Sequence, residues 1–329
     1  MIDYEVPPYS IAVRSLGKGG VRYRRLLQSI SHLEPQPTEV VIAIPEGYDY
    51  PDDRLGWERF VHCKRGMVRQ RIACGEAAIC DLVLFLDDDL EFAPELVKRL
   101  YGPLAEGLSR IAFPIMFETL LPLPGIRTVV PALLGAAVPM LFGREKYYVK
   151  ILANGGWSYN RFGKDHQQYY LSHSAPGACF LVAKEDFHSI ELASEIWLEK
   201  PGYALLDDQV MFYKFHCRGM TAVGVTDIAM VHLDSGKSEP GRRLRAKYAR
   251  SMNLLIFWHR FLFLASNSIG RKIYRAMCLT YTMVLEFILN TVLSCARRSP
   301  EELSASVRGL RDGLSFLRSS AYRSLPRLS

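Results

Sequence analysis

Short apolar runs alternate with stretches of helical spacing along the first ninety residues. Residues 9–14, 40–44 and 82–86 are largely apolar, too short for typical helices and bounded by Gly, Pro or acidic residues, which predicts buried strands. Between them, residues 23–33 carry apolar side chains at helical spacing, and residues 67–79 are rich in alanine. Strand, helix, strand, helix, strand predicts right-handed βαβ units, and therefore an α/β fold with a mostly parallel sheet flanked by helices.

The same pattern resumes beyond residue 175. Residues 178–183 predict a further strand, and residues 220–225 and 228–231 predict two short ones, the last closing on His232. An acidic pair, Asp207-Asp208, lies before an amphipathic run that ends at Gly219. The pair is suited either to capping the helix or to acid–base chemistry.

The third predicted strand ends in three consecutive carboxylates, Asp87, Asp88 and Asp89. Neighbouring anions repel one another unless a cation lies among them, and carboxylate oxygens suit a hard divalent ion such as Mg²⁺ or Mn²⁺. In open α/β sheets, ligands bind at this carboxyl edge of the strands. The triplet therefore predicts a metal site that holds phosphate oxygens, with a solvated acidic turn as the alternative.

The chain carries seven scattered cysteines, and none of them forms a Cys-x-x-Cys pair. This argues against a disulfide framework or a zinc site and favours a reducing compartment. The first residues show neither a basic n-region nor an apolar h-region, so we predict no signal peptide.

Positive charge is concentrated in the last part of the chain. Residues 237–329 hold 17 Lys and Arg against 5 Asp and Glu, whereas the rest of the chain holds 24 against 29. The basic residues alternate with apolar helical patterns, which favours an anionic membrane surface over nucleic acid as the partner. Residues 276–295 could just cross a bilayer, but a central Glu286 costs roughly 2–3 kcal/mol, so we expect a helix that lies in the interface or packs within the protein or a homodimer.

Residues 117–170 are rich in Pro, Gly and aromatic side chains and fit no regular pattern. We interpret them as an insertion near the site that shapes an acceptor groove, with an irregular packing layer as the alternative.

Three segments carry a resemblance to a known enzyme family. Residues 69–89 run from Arg-Gln-Arg to Phe-Leu-Asp-Asp-Asp, residues 177–182 read Gly-Ala-Cys-Phe-Leu-Val, and Asp207-Asp208 is followed by Val231-His232. In order and content they resemble the motifs of family 2 glycosyltransferases of the GT-A fold, including their Asp-x-Asp pattern. The resemblance covers roughly residues 9–260, which implies a glycosyltransferase domain at 1–260 and a basic amphipathic tail at 261–329.

The resemblance implies a metal-dependent transferase that moves a sugar from a nucleotide-sugar, with inversion, to a glycan or lipid-linked hydroxyl. It would work in surface polysaccharide synthesis, in the cytoplasm at the inner face of the membrane. The first strand ends in Arg-Ser-Leu-Gly and the second in Pro-Glu-Gly, unlike the family, which leaves the nucleotide open. The implied roles are base for Asp208 or Asp207, metal ligation for Asp87, Asp89 and His232, and nucleotide contact for Arg14, Glu46, Arg71, Asp87 and Asp88.

Two other functions compete with this interpretation. A sugar nucleotidyltransferase would share the nucleotide-binding sheet, but it would carry a Gly-rich loop that Gly17-Lys18-Gly19-Gly20 matches poorly. A catalytically inactive scaffold of the same fold would not need the acids at 87, 89 and 208.

Overall fold

The protein divides into two units. The first comprises residues 1–120, 162–196 and 207–236, and the second comprises residues 121–161, 197–206 and 237–329. Residues 240–257, which the sequence resemblance assigned to the transferase domain, group with the basic tail in the second unit.

The structure is a computed structural model that describes residues 4–116, 138–139, 147–159, 167–233, 240–297 and 300–327. Most of the predicted acceptor insertion at 117–170 lies outside these ranges. The strands are β1 Tyr9–Arg14, β2 Glu39–Pro45, β3 Arg59–Cys63, β4 Leu82–Asp87, β5 Leu90–Phe92, β6 Ile111–Pro114, β7 Val138–Pro139, β8 Val149–Ile151, β9 Trp157–Tyr159, β10 Tyr169–Ser172, β11 Cys179–Ala183, β12 Ala222–Val225 and β13 Met230–His232.

The α-helices are α1 Val21–Ser31, α2 Met67–Ala77, α3 Leu96–Ala105, α4 Lys184–Ser189, α5 Asp207–Cys217, α6 Pro240–Phe257, α7 Ile269–Arg297, α8 Glu301–Arg318 and α9 Ser320–Arg323. A 3₁₀ segment covers Leu192–Glu199, and a π-helical turn at Trp258–Phe263 follows α6 directly.

Eight strands of the first unit form one sheet in the order β10-β12-β6-β11-β4-β1-β2-β3. Strands β3, β2, β1 and β4 are parallel neighbours, and β12 is parallel to β6. Strand β11 runs antiparallel to both β4 and β6, and β10 runs antiparallel to β12. The predicted α/β fold with a mostly parallel sheet flanked by helices and a C-terminal helical part is confirmed.

The sheet is buried where the sequence predicted it. Residues 82–86 of β4 and 40–44 of β2 are buried throughout, as expected for strands covered on both faces. Strand β3 escaped prediction because it is a half-exposed edge strand, in which Arg59 and His62 interrupt the apolar residues. Strand β6 escaped prediction because it is only four residues long.

The second unit contains a small three-stranded sheet, β7-β9-β8, and the four C-terminal α-helices. Strand β8 is antiparallel to β9. The indole N–H of Trp258 donates to the carbonyl of Ala153 at 3.0 Å, which ties the π-helical turn to the loop between β8 and β9.

Candidate active site

Arg14 and Asp87 end neighbouring parallel strands at the carboxyl edge of the sheet, where they are register partners. The Nη2 atom of Arg14 donates to Oδ2 of Asp87 at 2.9 Å, and its Nε donates to Oδ1, so the guanidinium binds both carboxylate oxygens. Burial acts to raise the pKa of Asp87, but the positive charge of Arg14 outweighs it and holds that pKa below its usual value. Asp87 is therefore ionised at neutral pH.

Asp207 opens helix α5 and is the central acceptor of the site. Its Oδ2 accepts from Nη1 of Arg14 at 3.1 Å and from Nη1 of Arg71 at 3.0 Å. The side chain is only 7% exposed. Leu206, immediately before it, has a φ of 76°, a left-handed conformation that leucine rarely adopts and that is typical of functional turns.

Asp208 differs from its neighbour in exposure and in partners. Its Oδ1 accepts from Nη2 of Arg71 at 3.1 Å, and 34% of the side chain is exposed. Burial of the rest of the group, followed by the negative charge of Asp207, raises the pKa of Asp208 to about 6, against the opposing effect of Arg71. Of the acidic pair, Asp208 is the carboxylate that can accept a proton from a group outside the protein.

Helix α2 holds Arg71 in place. The side chain of Gln70 donates to the carbonyls of Ser15 at 2.7 Å and Ala43 at 3.0 Å, which pins the helix to the ends of β1 and β2. Arg71 is 2% exposed, and besides both acids it donates to the carbonyl of Gly177 at 3.1 Å. The nucleotide contact of Arg71 stays a prediction; in the structure its guanidinium donates to Asp207 and Asp208.

Gly177 was missed as a site residue because it reads simply as the end of a Ser-Ala-Pro-Gly turn before β11. A Cβ atom there would overlap with Oδ1 of Asp208 and would lie 2.6 Å from Nη2 of Arg71. The absence of a side chain at this position is therefore what lets Arg71 meet Asp208.

A two-stranded antiparallel ribbon brings His232 to the acidic triplet. Strand β13 pairs with β5 so that His232 lies opposite Leu90, and the backbone N–H of Leu233 donates to the carbonyl of Asp89 at 2.8 Å. Nε2 of His232 lies 3.3 Å from Oδ1 of Asp89. One ligand atom each from Asp87, Asp89 and His232 can be chosen so that all three lie within 4.8 Å of one another.

These three side chains fit a single Mn²⁺ or Mg²⁺ ion. Ligand atoms bonded to one such ion at about 2.0–2.2 Å lie no more than roughly 4.4 Å apart, close to the observed spacing. Two carboxylate oxygens and one imidazole nitrogen are a donor set that Mn²⁺ accepts readily.

The middle acid of the triplet lies apart from this set. Oδ2 of Asp88 accepts from the hydroxyl of Ser15 at 2.6 Å. Burial, with a further contribution from the charges of Asp87 and Asp89, raises the pKa of Asp88 to about 6 despite the bond from Ser15. Glu46 follows β2 with an exposed side chain, and it is not part of the ion pairs described above.

Comparison with known proteins gives a likeness of fold. No family model and no curated protein matches the sequence. Solved structures of GT-A glycosyltransferases are similar. They include GalNAc-T7 with UDP, GalNAc and Mn²⁺ (12% identity, TM-score 0.46, 86% of this chain) and S. aureus TarS 1-349 in complex with UDP-GlcNAc (12% identity, TM-score 0.48, 94% of this chain).

The chain spans 57% of the GalNAc-T7 chain and 81% of the TarS chain. A second structure of S. aureus TarS 1-349 is 11% identical, with a TM-score of 0.47 over 95% of this chain and 91% of that one. Likeness at this level shows the fold alone.

Proposed function

We propose that the chain is a metal-dependent inverting glycosyltransferase that moves a sugar from a nucleotide-sugar to an acceptor hydroxyl. One observation carries the proposal. The candidate metal ligand Asp87 and the candidate base Asp208 belong to one chain of ion pairs, Asp87–Arg14–Asp207–Arg71–Asp208. The ion pairs therefore fix the donor side, where the nucleotide-sugar would bind, relative to the acceptor side, where the base would act.

On the donor side, Asp87, Asp89 and His232 would hold Mn²⁺ or Mg²⁺. When bound, the ion supplies positive charge for the diphosphate that leaves with the nucleoside. Arg14 keeps Asp87 ionised and fixes its carboxylate in one orientation, because it binds both oxygens. Asp88 and Glu46 lie at the same carboxyl edge of the sheet, and their predicted nucleotide contacts remain part of this proposal.

On the acceptor side, Asp208 would take the proton of the attacking hydroxyl. Asp207 is less suited to this role because its Oδ2 is bonded by two guanidinium groups and the side chain is almost fully buried. A direct attack assisted by a single base gives inversion at the anomeric carbon, and no second carboxylate nucleophile is needed. Asp207 and Arg71 then act as positioning residues for the base.

The acceptor in this proposal is a glycan or a lipid-linked hydroxyl compound in surface polysaccharide synthesis. Residues 117–170 would shape the groove that binds it. The place of action is the cytoplasmic side of a membrane, contacted through the basic residues 237–329. Seven free cysteines support a reducing compartment for the chain. The alternative role of the same segment in this proposal is a homodimer interface.

Calorimetric titration with UDP, GDP, TDP and CDP, each with Mn²⁺ and with EDTA, tests the donor side. We expect one diphosphate to bind only with the metal, and Asp89→Ala to weaken that binding by at least about tenfold. Glu91→Ala is the matched control, because Glu91 is an exposed carboxylate on the same ribbon, paired with Arg25 at 3.0 Å. Absence of binding under every condition would favour an inactive scaffold.

Product analysis tests the reaction itself. Incubation with the nucleotide-sugar that corresponds to the tightest diphosphate should release that nucleoside diphosphate. Release of pyrophosphate from a nucleoside triphosphate and a sugar phosphate would instead identify a nucleotidyltransferase and overturn the proposal.

A further inference from the structure

Helix α7 exposes many apolar side chains, whereas a surface helix of a soluble protein exposes mainly polar ones. Nine of its large apolar residues are each more than half exposed. Those that run at spacings of three and four residues share one face of the helix, over roughly 30 Å at 1.5 Å per residue. We define the outer face of α7 by six of them: Ile273, Met277, Tyr281, Val284, Ile288 and Val292.

Three polar side chains of the same helix point the other way. Glu286 accepts from Arg250 of α6 at 3.2 Å, and Asn290 accepts from Lys247 at 3.4 Å. Thr282, which is 5% exposed, accepts from Asn154 at 2.8 Å. These three polar groups therefore have partners within the second unit, whereas the outer face of α7 is exposed.

This arrangement keeps Glu286, the residue that disfavours burial of this helix in lipid, away from the outer face of α7. Glu286 would carry a cost at the centre of a membrane helix, but its carboxylate belongs to the inner face and is paired with a guanidinium. On the outer face of α7 the described side chains include no acid.

Helix α8 shows the same preference on a smaller scale. Its buried residues are Ala305, Gly309, Gly313 and Phe316, and a Cβ at Gly309 would overlap with the backbone carbonyl of Tyr248 in α6. The two glycines therefore let α8 pack closely against α6, while Val307 and Leu314 are more than two-fifths exposed. Close packing through small residues, with larger apolar residues outside, is typical of helices in contact with lipid.

We infer that the outer face of α7 lies in the headgroup boundary of an anionic phospholipid bilayer, with the helix parallel to the membrane plane. The segment from 237 to 329 has a surplus of basic residues, which attracts an anionic leaflet and opposes the approach of a second copy. Tyr281 supplies the amphipathic ring that favours this depth.

A crossing orientation is disfavoured by α6. Helix α6 contacts the inner face of α7 through Lys247 and Arg250 and carries Arg242, Arg243 and Arg245 nearer its start. If α7 spanned the bilayer, Lys247 and Arg250 would enter the hydrocarbon region with it. Length and composition alone would allow α7 to cross, since residues 269–296 form the one described helix that is long and apolar enough.

The inference sharpens the membrane part of the proposed function and does not depend on the reaction. The test is flotation of the full chain with vesicles of phosphatidylglycerol and phosphatidylcholine, compared with vesicles of phosphatidylcholine alone. We expect binding to the anionic vesicles, weaker binding to the neutral ones, and release by alkaline carbonate.

The variant for this test carries Ile273→Gln, Met277→Gln, Val284→Gln and Ile288→Gln, which keep good helix formers at exposed positions. We expect its vesicle binding to fall by at least about tenfold, because the apolar area that enters the boundary is removed. A control with Val21→Gln, Ile79→Gln and Leu108→Gln changes three exposed apolar residues of the first unit and should bind as the wild type does.

Melting temperature and metal-dependent diphosphate binding report the folding of each variant, so loss of fold and loss of membrane contact are distinguished. Wild-type affinity in the fourfold variant would overturn the inference. Failure of the wild type to float, with a dimer in solution that the fourfold variant abolishes, would assign the outer face of α7 to a second copy. Vesicle binding without diphosphate binding would keep the inference and remove the proposed reaction.

Discussion

Two adjacent aspartates of this site have the same chemistry and different surroundings. Asp207 is almost buried and bonded by Arg14 and Arg71, whereas Asp208 keeps a third of its surface exposed and contacts Arg71 alone among these arginines. The resemblance to a glycosyltransferase left both as candidate bases. The difference in surroundings is what favours a catalytic role for Asp208 and a positioning role for Asp207.

Replacing each aspartate by asparagine should separate these roles. Asp208→Asn should lower kcat by roughly 10²–10⁴-fold and leave diphosphate binding nearly unchanged, since it removes the base alone. Asp207→Asn should lower the free energy of unfolding by about 3 kcal/mol, because two buried guanidinium groups lose their shared partner. Steady-state kinetics and denaturant unfolding are the measurements, with the exposed Asp81→Asn as the control for both.

Unlike Asp207→Asn, Asp208→Asn should not lower the free energy of unfolding at neutral pH. A carboxyl group whose pKa is raised on folding stabilises the fold below its unfolded pKa and loses that contribution as the pH rises through its folded pKa. Above about pH 6, Asp208→Asn should therefore melt no lower than the wild type. A clear drop in its melting temperature would contradict the base assignment.

The pH dependence of the reaction should follow the ionisation of the base. Because burial raises the pKa of Asp208 to about 6, kcat should fall as the pH drops below that value, with one proton taken up. Asp88, whose pKa is also raised to about 6, could produce the same limb. The profile of Asp88→Asn decides between them, and we expect the acid limb to persist in that variant.

Gly177 tests whether the contact between Arg71 and Asp208 matters. Gly177→Ala introduces a methyl group where Oδ1 of Asp208 lies, so the carboxylate or the guanidinium has to move. We expect kcat to fall by roughly 10–100-fold, in line with the sensitivity of catalysis to small displacements. Gly241→Ala is the control, because a Cβ at Gly241 meets no atom within 4 Å. Equal kinetics in the two variants would exclude a positioning role for this contact.

At the scale of elements, the ribbon of β5 and β13 matters more than its length suggests. It joins residues 90–92 to residues 230–232, and it is the pairing that carries His232 to the end of β4. His232→Ala should lower Mn²⁺ affinity by about tenfold, because one of three protein ligands is lost. Electron paramagnetic resonance of free Mn²⁺, titrated with diphosphate present, measures it, and the exposed His188→Ala is the control.

Some elements were predictable because their pattern is local. Strand β4 follows from an apolar run that stops at the triplet, and its carboxyl edge then locates Asp87 and Asp89. The partners of Arg71 were not predictable, since Asp207 lies 136 residues away and the spacing along α2 does not show which residue faces it. The order of the strands in the sheet brings these elements together, and it could not be predicted from a single sequence.

Helix faces were harder still to predict. In α8 the residues that pack closely against α6 include Gly309 and Gly313, whereas the larger apolar residues Val307 and Leu314 are more than two-fifths exposed. In α7 the polar residues Thr282, Glu286 and Asn290 occupy the inner face. The spacing of apolar residues identifies the two faces of a helix. The apolar face packs into the interior when the helix is surrounded by water, but it can face outward when the helix contacts lipid.

At the scale of the whole molecule, charge and chemistry are divided between the two units. The acids and arginines of the candidate active site belong to the first unit, and residues 237–329, with 17 Lys and Arg against 5 Asp and Glu, belong to the second. The prediction of an anionic partner for the tail followed from these counts, and the choice of a membrane surface from the apolar helical patterns between the basic residues. The prediction of a reaction followed from motifs, and the structure adds the different surroundings of Asp207 and Asp208.

The chain of ion pairs from Asp87 to Asp208 has a consequence for the protein without its ion. Arg14 and Arg71 neutralise two of the three carboxylates in this chain of ion pairs, so we expect the protein to fold without a dication. In EDTA it should unfold in one cooperative transition, and Mn²⁺ without nucleotide should raise the melting temperature only by the amount that its binding to the folded state supplies, which calorimetry can check. In the proposed reaction, the ion would then leave with each released diphosphate while the ion pairs keep the site in place for the next donor.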